Sequence, residues 1–203
     1  MKERPRRAAR PVDVVVMGAS LGGLYACQRL LARLPADLPV AVALVQHRQP
    51  DVESGLAHLL GLHSSLPVSE PDDKEPIKPG HVYLAPINYH LLIDGDRFAL
   101  STEEPVLFAR PSIDVLFSSA AEARRERALA VALTSASDDG ADGAADIKRR
   151  GGRVLVQDPA EAESEILPRA VIARASPDAV LRLDQIPAAL VEWCRQLKLT
   201  PRI

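Results

Sequence analysis

The chain has 203 residues, 47% of them hydrophobic, and a formal net charge of -2. That is enough apolar material for one sizeable packed domain, and it argues against disorder. The near-neutral balance excludes a bulk field that would single out nucleic acid or a membrane surface as a partner. The local exception is the start, where Lys2, Arg4, Arg6, Arg7 and Arg10 cluster. It reads as a solvated basic leader over 1–11. Two cysteines, Cys27 and Cys194, form neither a disulfide framework nor a zinc pattern and read as buried thiols. No apolar run reaches membrane-spanning length, and no small-residue cleavage site follows the basic start, so a cytoplasmic protein is expected.

Val12–Met17 is β-branched and nearly continuous, the pattern of a buried strand. Leu24, Cys27, Leu31 and Leu34 then repeat at helical spacing until Pro35. Val40–Val45 reads as a second buried strand, Glu53–Leu62 as a helix, and Ser64–Pro79 as a connection rich in Pro and Asp. His81–Ala85 is a strand. Leu91–Ile93 and Arg97–Leu100 flank Asp94-Gly95, a hairpin signal. The pattern then predicts a helix over Ile113–Arg125, a strand over Ala128–Leu133, a helix over Gly140–Arg150 and a strand over Val154–Gln157. A short helix over Pro168–Ala175, a strand or turn over Ala179–Leu183 and an amphipathic helix over Ile186–Leu197 complete the chain. Trp193, with Leu190, Val191, Leu197 and Leu199, is expected on the docking face of that last helix.

Continuous apolar strands alternating with helices predict an α/β fold: a doubly wound, mainly parallel sheet with helices on both faces and a local antiparallel hairpin. Ligands of such sheets sit beyond the carboxyl ends of the strands. Ser20 lies just past the first strand, His47 just past the second, and Asp138 and Asp139 just past Ala128–Leu133.

Ser20 admits three readings. A helix N-cap explains the serine but not the glycines around it. A dinucleotide cradle fits poorly, because Gly18-Ala19-Ser20 breaks the G-x-G-x-x-G phase and His47 stands where an acidic ribose ligand belongs. A nucleophile fits better: Gly18-Ala19-Ser20-Leu21-Gly22 is G-x-S-x-G between strand and helix. The N–H groups of Leu21, Gly22 and Gly23 would face a developing oxyanion. His47 is set apart from His58, His63, His81 and His90 by standing at the same sheet edge as Ser20. The histidines show no metal spacing. An aspartate at the third strand end can orient a histidine; Asp139 immediately precedes Gly140, Asp138 could be a solvated cap, and an Asp-rich helix start is the plain alternative.

Several blocks, in order, are similar to the catalytic domain of the chemotaxis protein-glutamate methylesterases, the CheB family. They are "GASLGG" (Gly18–Gly23), "VQHRQPDVESGLAHLL" (Val45–Leu60), "KPGHVYLAPINYHLLI" (Lys78–Ile93), "RPSIDVLFSSAA" (Arg110–Ala121), "LTSASDDGADG" (Leu133–Gly143) and "VQDPAEAESEILPRAVIA" (Val156–Ala173). The resemblance implies a methylesterase domain over 12–200. It implies hydrolysis of γ-glutamyl methyl esters on cytoplasmic helices of chemoreceptor-like proteins, with glutamine deamidation in some members. It carries the serine onto Ser20, the histidine onto His47 and the aspartate onto Asp139. No cofactor, metal, nucleic acid or membrane insertion is implied. Three departures stand out. Leu21 is bulkier than the family's usual residue after the serine. Ser135, Ala136 and Ser137 replace a Gly-Met-Gly run, which places Ala136 near substrate. The short leader leaves no room for a phosphorylated receiver domain in this chain, so regulation in cis is not expected. The alternatives are a CheB-like adaptor without catalysis, docking to receptors or to a methyltransferase, and a dinucleotide binder.

Overall fold

The computed structural model describes residues 12–48 and 55–195. A seven-stranded sheet forms the centre, in the order β3-β4-β2-β1-β7-β8-β9, and every pairing in it is parallel. Its strands are β1 (Val14–Ala19), β2 (Ala41–Gln46), β3 (Val68–Ser69), β4 (Val82–Leu84), β7 (Ala128–Ala132), β8 (Arg153–Gln157) and β9 (Ala179–Leu181). The antiparallel hairpin β5 (His90–Asp94) and β6 (Arg97–Ser101) lies apart from it.

β1 is buried along its whole length because helices cover both faces of the sheet. Val14 and Val16 point to the side of α3 (Ile113–Arg124), α4 (Ala141–Arg149), α5 (Ile166–Ala175) and the hairpin. Val15 and Met17 point to the side of α1 (Gly23–Leu31), α2 (Leu56–Gly61) and α6 (Ile186–Arg195). Alternation along one strand thus feeds two cores, as a doubly wound sheet requires. Cys27 and Cys194 are buried in the second core, and burial pushes each thiol up to about 12.

The structure departs from the sequence reading in detail. The connection Ser64–Pro79 contains the edge strand β3, which pairs with β4; two residues are too few for a periodic signal. The hairpin turn is Gly95-Asp96, one residue later than the Asp94-Gly95 signal, because Asp94 still pairs with Arg97. α5 starts at Ile166, before Pro168, since proline is tolerated in a first turn. The expected start of the helix at Glu53, and Leu197 and Leu199, lie outside the described residues. Trp193 is half-buried against the second core, with the Arg153 guanidinium 5.1 Å from its ring centre.

Two glycines bring α3 to the sheet edge. A Cβ on Gly18 would overlap the Ile113 side chain, and one on Gly140 would lie 2.5 Å from Ile113 Cγ2. Gly140 also has φ +112°. The N-terminus of α3 can therefore sit directly above the ends of β1 and β7. Gly140→Ala combines overpacking with a strained backbone, and should cost on the order of 2 kcal/mol or more. Urea unfolding of the variant checks this; an unchanged midpoint would contradict the close packing.

Candidate active site

Ser20 and His47 are the first residues beyond the paired register Ala19↔Gln46 of β1 and β2. The ladder continues past them: His47 N–H donates to the Ala19 carbonyl at 2.9 Å and Ser20 N–H to the Thr134 carbonyl at 3.0 Å. Gln46 then ties the two ends together. Its amide nitrogen donates to the carbonyls of Ser20 (2.8 Å) and His47 (3.1 Å). Ser20 does not cap α1; the N-cap is Gly22, with φ 73° and no side-chain cap. Of the turn amides expected to face an oxyanion, Gly23 N–H is already committed to the Ser20 carbonyl at 2.8 Å. The Thr134 hydroxyl donates to the Leu21 carbonyl at 2.9 Å, which anchors the turn to the end of β7. Among the described residues, the Ser20 hydroxyl makes no hydrogen bond.

Asp139 is fully buried and ends the loop after β7. Its Oδ2 accepts from His47 Nε2–H at 2.7 Å and from Ile113 N–H at 2.7 Å. Its Oδ1 accepts from the Ser112 hydroxyl at 2.7 Å and from Asp114 N–H at 3.0 Å. Ser112 is also the N-cap of α3, accepting from Val115 N–H. The carboxylate thus occupies a helix N-terminus, where free amides and the helix dipole favour a negative charge. Burial pushes its pKa up, but the bonds from His47, the Asp114 amide, Ser112 and the Ile113 amide outweigh this and hold it below 3.8. With Nε2 committed to Asp139, Nδ1 is the ring nitrogen left to His47 for accepting a proton.

Asp138 is not simply solvated: it pairs with Arg174 at 2.6 Å on the outside of the loop. The two aspartates thus face opposite ways, one into the sheet edge and one out. Ala136 is exposed in the same loop. Its neighbours brace the backbone: Ser137 N–H donates to Ser135 Oγ at 3.1 Å, and Asp139 N–H donates to Ser137 Oγ at 3.1 Å. Leu21 is half exposed at the turn. Sequence reasoning missed Gln46, Ser112 and Thr134 as parts of the site. Only Ser112 carried a signal, a serine just ahead of a helix.

A hydrolase emerges from comparison with known proteins. The CheB methylesterase profile matches residues 15–190, and the chain belongs to that family. The crystal structure of the Thermotoga maritima CheB methylesterase catalytic domain superposes with a TM-score of 0.85, at 34% identity over 89% of this chain and 97% of that one. A Leptospira interrogans relative is 41% identical over 86% of this chain and 91% of its own length. "Protein-glutamate methylesterase/protein-glutamine glutaminase 2" of Anaeromyxobacter dehalogenans is 42% identical over 94% of this chain but only 56% of its own.

Two carboxylates give the site opposite pH signatures. The depressed pKa of Asp139 adds stability that is present above the ordinary 3.8 and is lost as pH falls through the folded value. Asp114 behaves in reverse. Burial raises it from 3.8 to about 6, against the bond it accepts from Gly143 N–H. Its contribution is fully present below 3.8 and is lost as pH rises through about 6. The stability of Asp114→Asn relative to the unmodified protein should therefore climb across that interval. Urea midpoints measured against pH decide it; a flat difference would contradict the burial argument.

Proposed function

We propose that the chain, as a domain over 12–200, is a protein-glutamate methylesterase acting on γ-glutamyl methyl esters of chemoreceptor-like proteins. The observation that carries this reading is the 2.7 Å bond between buried Asp139 and His47, at the strand end beside Ser20. The Ser20 hydroxyl attacks the ester carbonyl while His47 Nδ1 takes its proton. Asp139 fixes the ring through Nε2–H and stabilises the imidazolium that results. The amides of Leu21 and Gly22 hold the oxyanion, because that of Gly23 is engaged in the turn. Collapse of the tetrahedral intermediate breaks the bond to methoxide, which leaves as methanol with the proton from His47. Water, deprotonated by the same histidine, then cleaves the glutamyl-serine ester and releases the carboxylate.

The side chain of His47 is 14% exposed and Ser20 is half-buried, so each reacting group keeps a face to solvent. That suits an ester on a protein surface. Glutamine deamidation, which the names of relatives include, needs the same geometry with ammonia as leaving group.

Methanol release from methylated receptor membranes, together with labelling by a fluorophosphonate probe, tests the proposal. Ser20→Ala should abolish both and leave the fold intact. Asp139→Asn should lower the rate by about 10⁴-fold, the size of the same change in serine proteases. Asp138→Asn should lose only its pairing with Arg174 and retain most activity. Full activity in Ser20→Ala would remove Ser20 as nucleophile, and greater damage from Asp138→Asn than from Asp139→Asn would reverse the choice of aspartate.

A further inference from the structure

His90, the first residue of β5, is 1% exposed, and both of its ring nitrogens are engaged. Nδ1 accepts from Ser112 N–H at 3.2 Å, and Nε2–H donates to the Glu104 carbonyl at 3.1 Å. A backbone amide can only donate and a carbonyl can only accept. The two partners therefore specify one form of the ring: neutral, with its hydrogen on Nε2. No other side chain offers an acceptor and a donor at opposite sides of one rigid ring.

The contact lies one residue from the catalytic carboxylate. Three of the four donors to Asp139 come from the consecutive residues Ser112, Ile113 and Asp114. His90 grips the first of them by its backbone. Ser112 is extended, with φ -104° and ψ 140°, and its hydroxyl points at Asp139 Oδ1. Without an acceptor, the fully buried Ser112 amide would be an orphan donor and the entry into α3 would shift to satisfy it.

We infer that His90 is a positioning residue for the reaction: its unprotonated Nδ1 sets Ser112, and the segment from Ser112 to Asp114 holds Asp139 against His47. The hairpin is thereby part of the catalytic apparatus although it stands outside the main sheet. The inference rests on the proposed role of Asp139.

Two near-isosteric variants separate this role from a structural one. The amide oxygen of His90→Asn lies near the place of Nδ1 and can still accept from Ser112. The amide of His90→Gln reaches the place of Nε2 and can still donate to Glu104. A positioning role through Ser112 predicts that Asn keeps kcat within about tenfold of the unmodified enzyme. Gln and Leu should lower kcat on the order of 100-fold, with KM little changed. A ring that merely braces the Glu104 loop predicts the opposite order, and equal kcat in all three would likewise overturn the inference. ¹⁵N NMR of the imidazole in the unmodified protein gives a test independent of folding in the variants. A hydrogen on Nε2 is expected, and one on Nδ1 would overturn the inference. Fluorophosphonate labelling of Ser20 in the unmodified protein tests the functional reading by itself, and its absence would remove both together.

Discussion

The site depends on a charge kept out of water. Asp139 is buried at the edge of the sheet, and such a carboxylate persists only where donors replace its hydration. The N-terminus of α3 supplies two backbone amides and the Ser112 hydroxyl, and His47 supplies the fourth donor. Much of the surrounding architecture serves that meeting. Gly18 and Gly140 leave room for Ile113, so that α3 can approach. The parallel register of β1 against both β2 and β7 puts Ser20, His47 and the Asp139 loop at one edge.

The same constraint orients the histidine proposed as the base. Asp139 takes Nε2 of His47, which leaves Nδ1 for the proton-accepting role in the proposed mechanism. In serine proteases of the chymotrypsin kind the two nitrogens exchange these roles. The chemistry tolerates either arrangement, because it needs a carboxylate on one nitrogen and the nucleophile on the other. Ring orientation here follows from the direction of approach: the carboxylate comes from the loop after β7, across β1 from the strand that carries the histidine.

The long strands and the strand-to-helix alternation were legible in the sequence because burial on both faces leaves continuous apolar runs, as in Val14–Ala19 and Ala41–Gln46. Strand ends were legible too, and with them the shared edge of Ser20, His47 and Asp139. β3 was not, since two residues between polar connections become a strand only by pairing with β4. Gln46, Thr134 and Ser112 escaped for a related reason. A polar side chain near a strand end or a helix start has many possible partners, and tertiary approach selects one. Asp138 and Asp139 are the sharpest case: neighbours of one residue type, one paired with Arg174 outside and one buried against His47. Ser135, Ala136 and Ser137, standing where the resemblance implies a Gly-Met-Gly run, have a local account. Two hydroxyls brace the backbone that delivers Asp139, and Ala136 leaves the loop surface small.

Catalysis as proposed turns on the orientation of His47 between Asp139 and Ser20. The crystal structure of the protein carrying a fluorophosphonate adduct tests it most directly. The predicted result is phosphorus on Ser20 Oγ, a phosphoryl oxygen on the amides of Leu21 and Gly22, Nδ1 of His47 facing the adduct and Nε2 still on Asp139. An adduct on another residue, or a ring turned so that Nε2 faces Ser20, would contradict it.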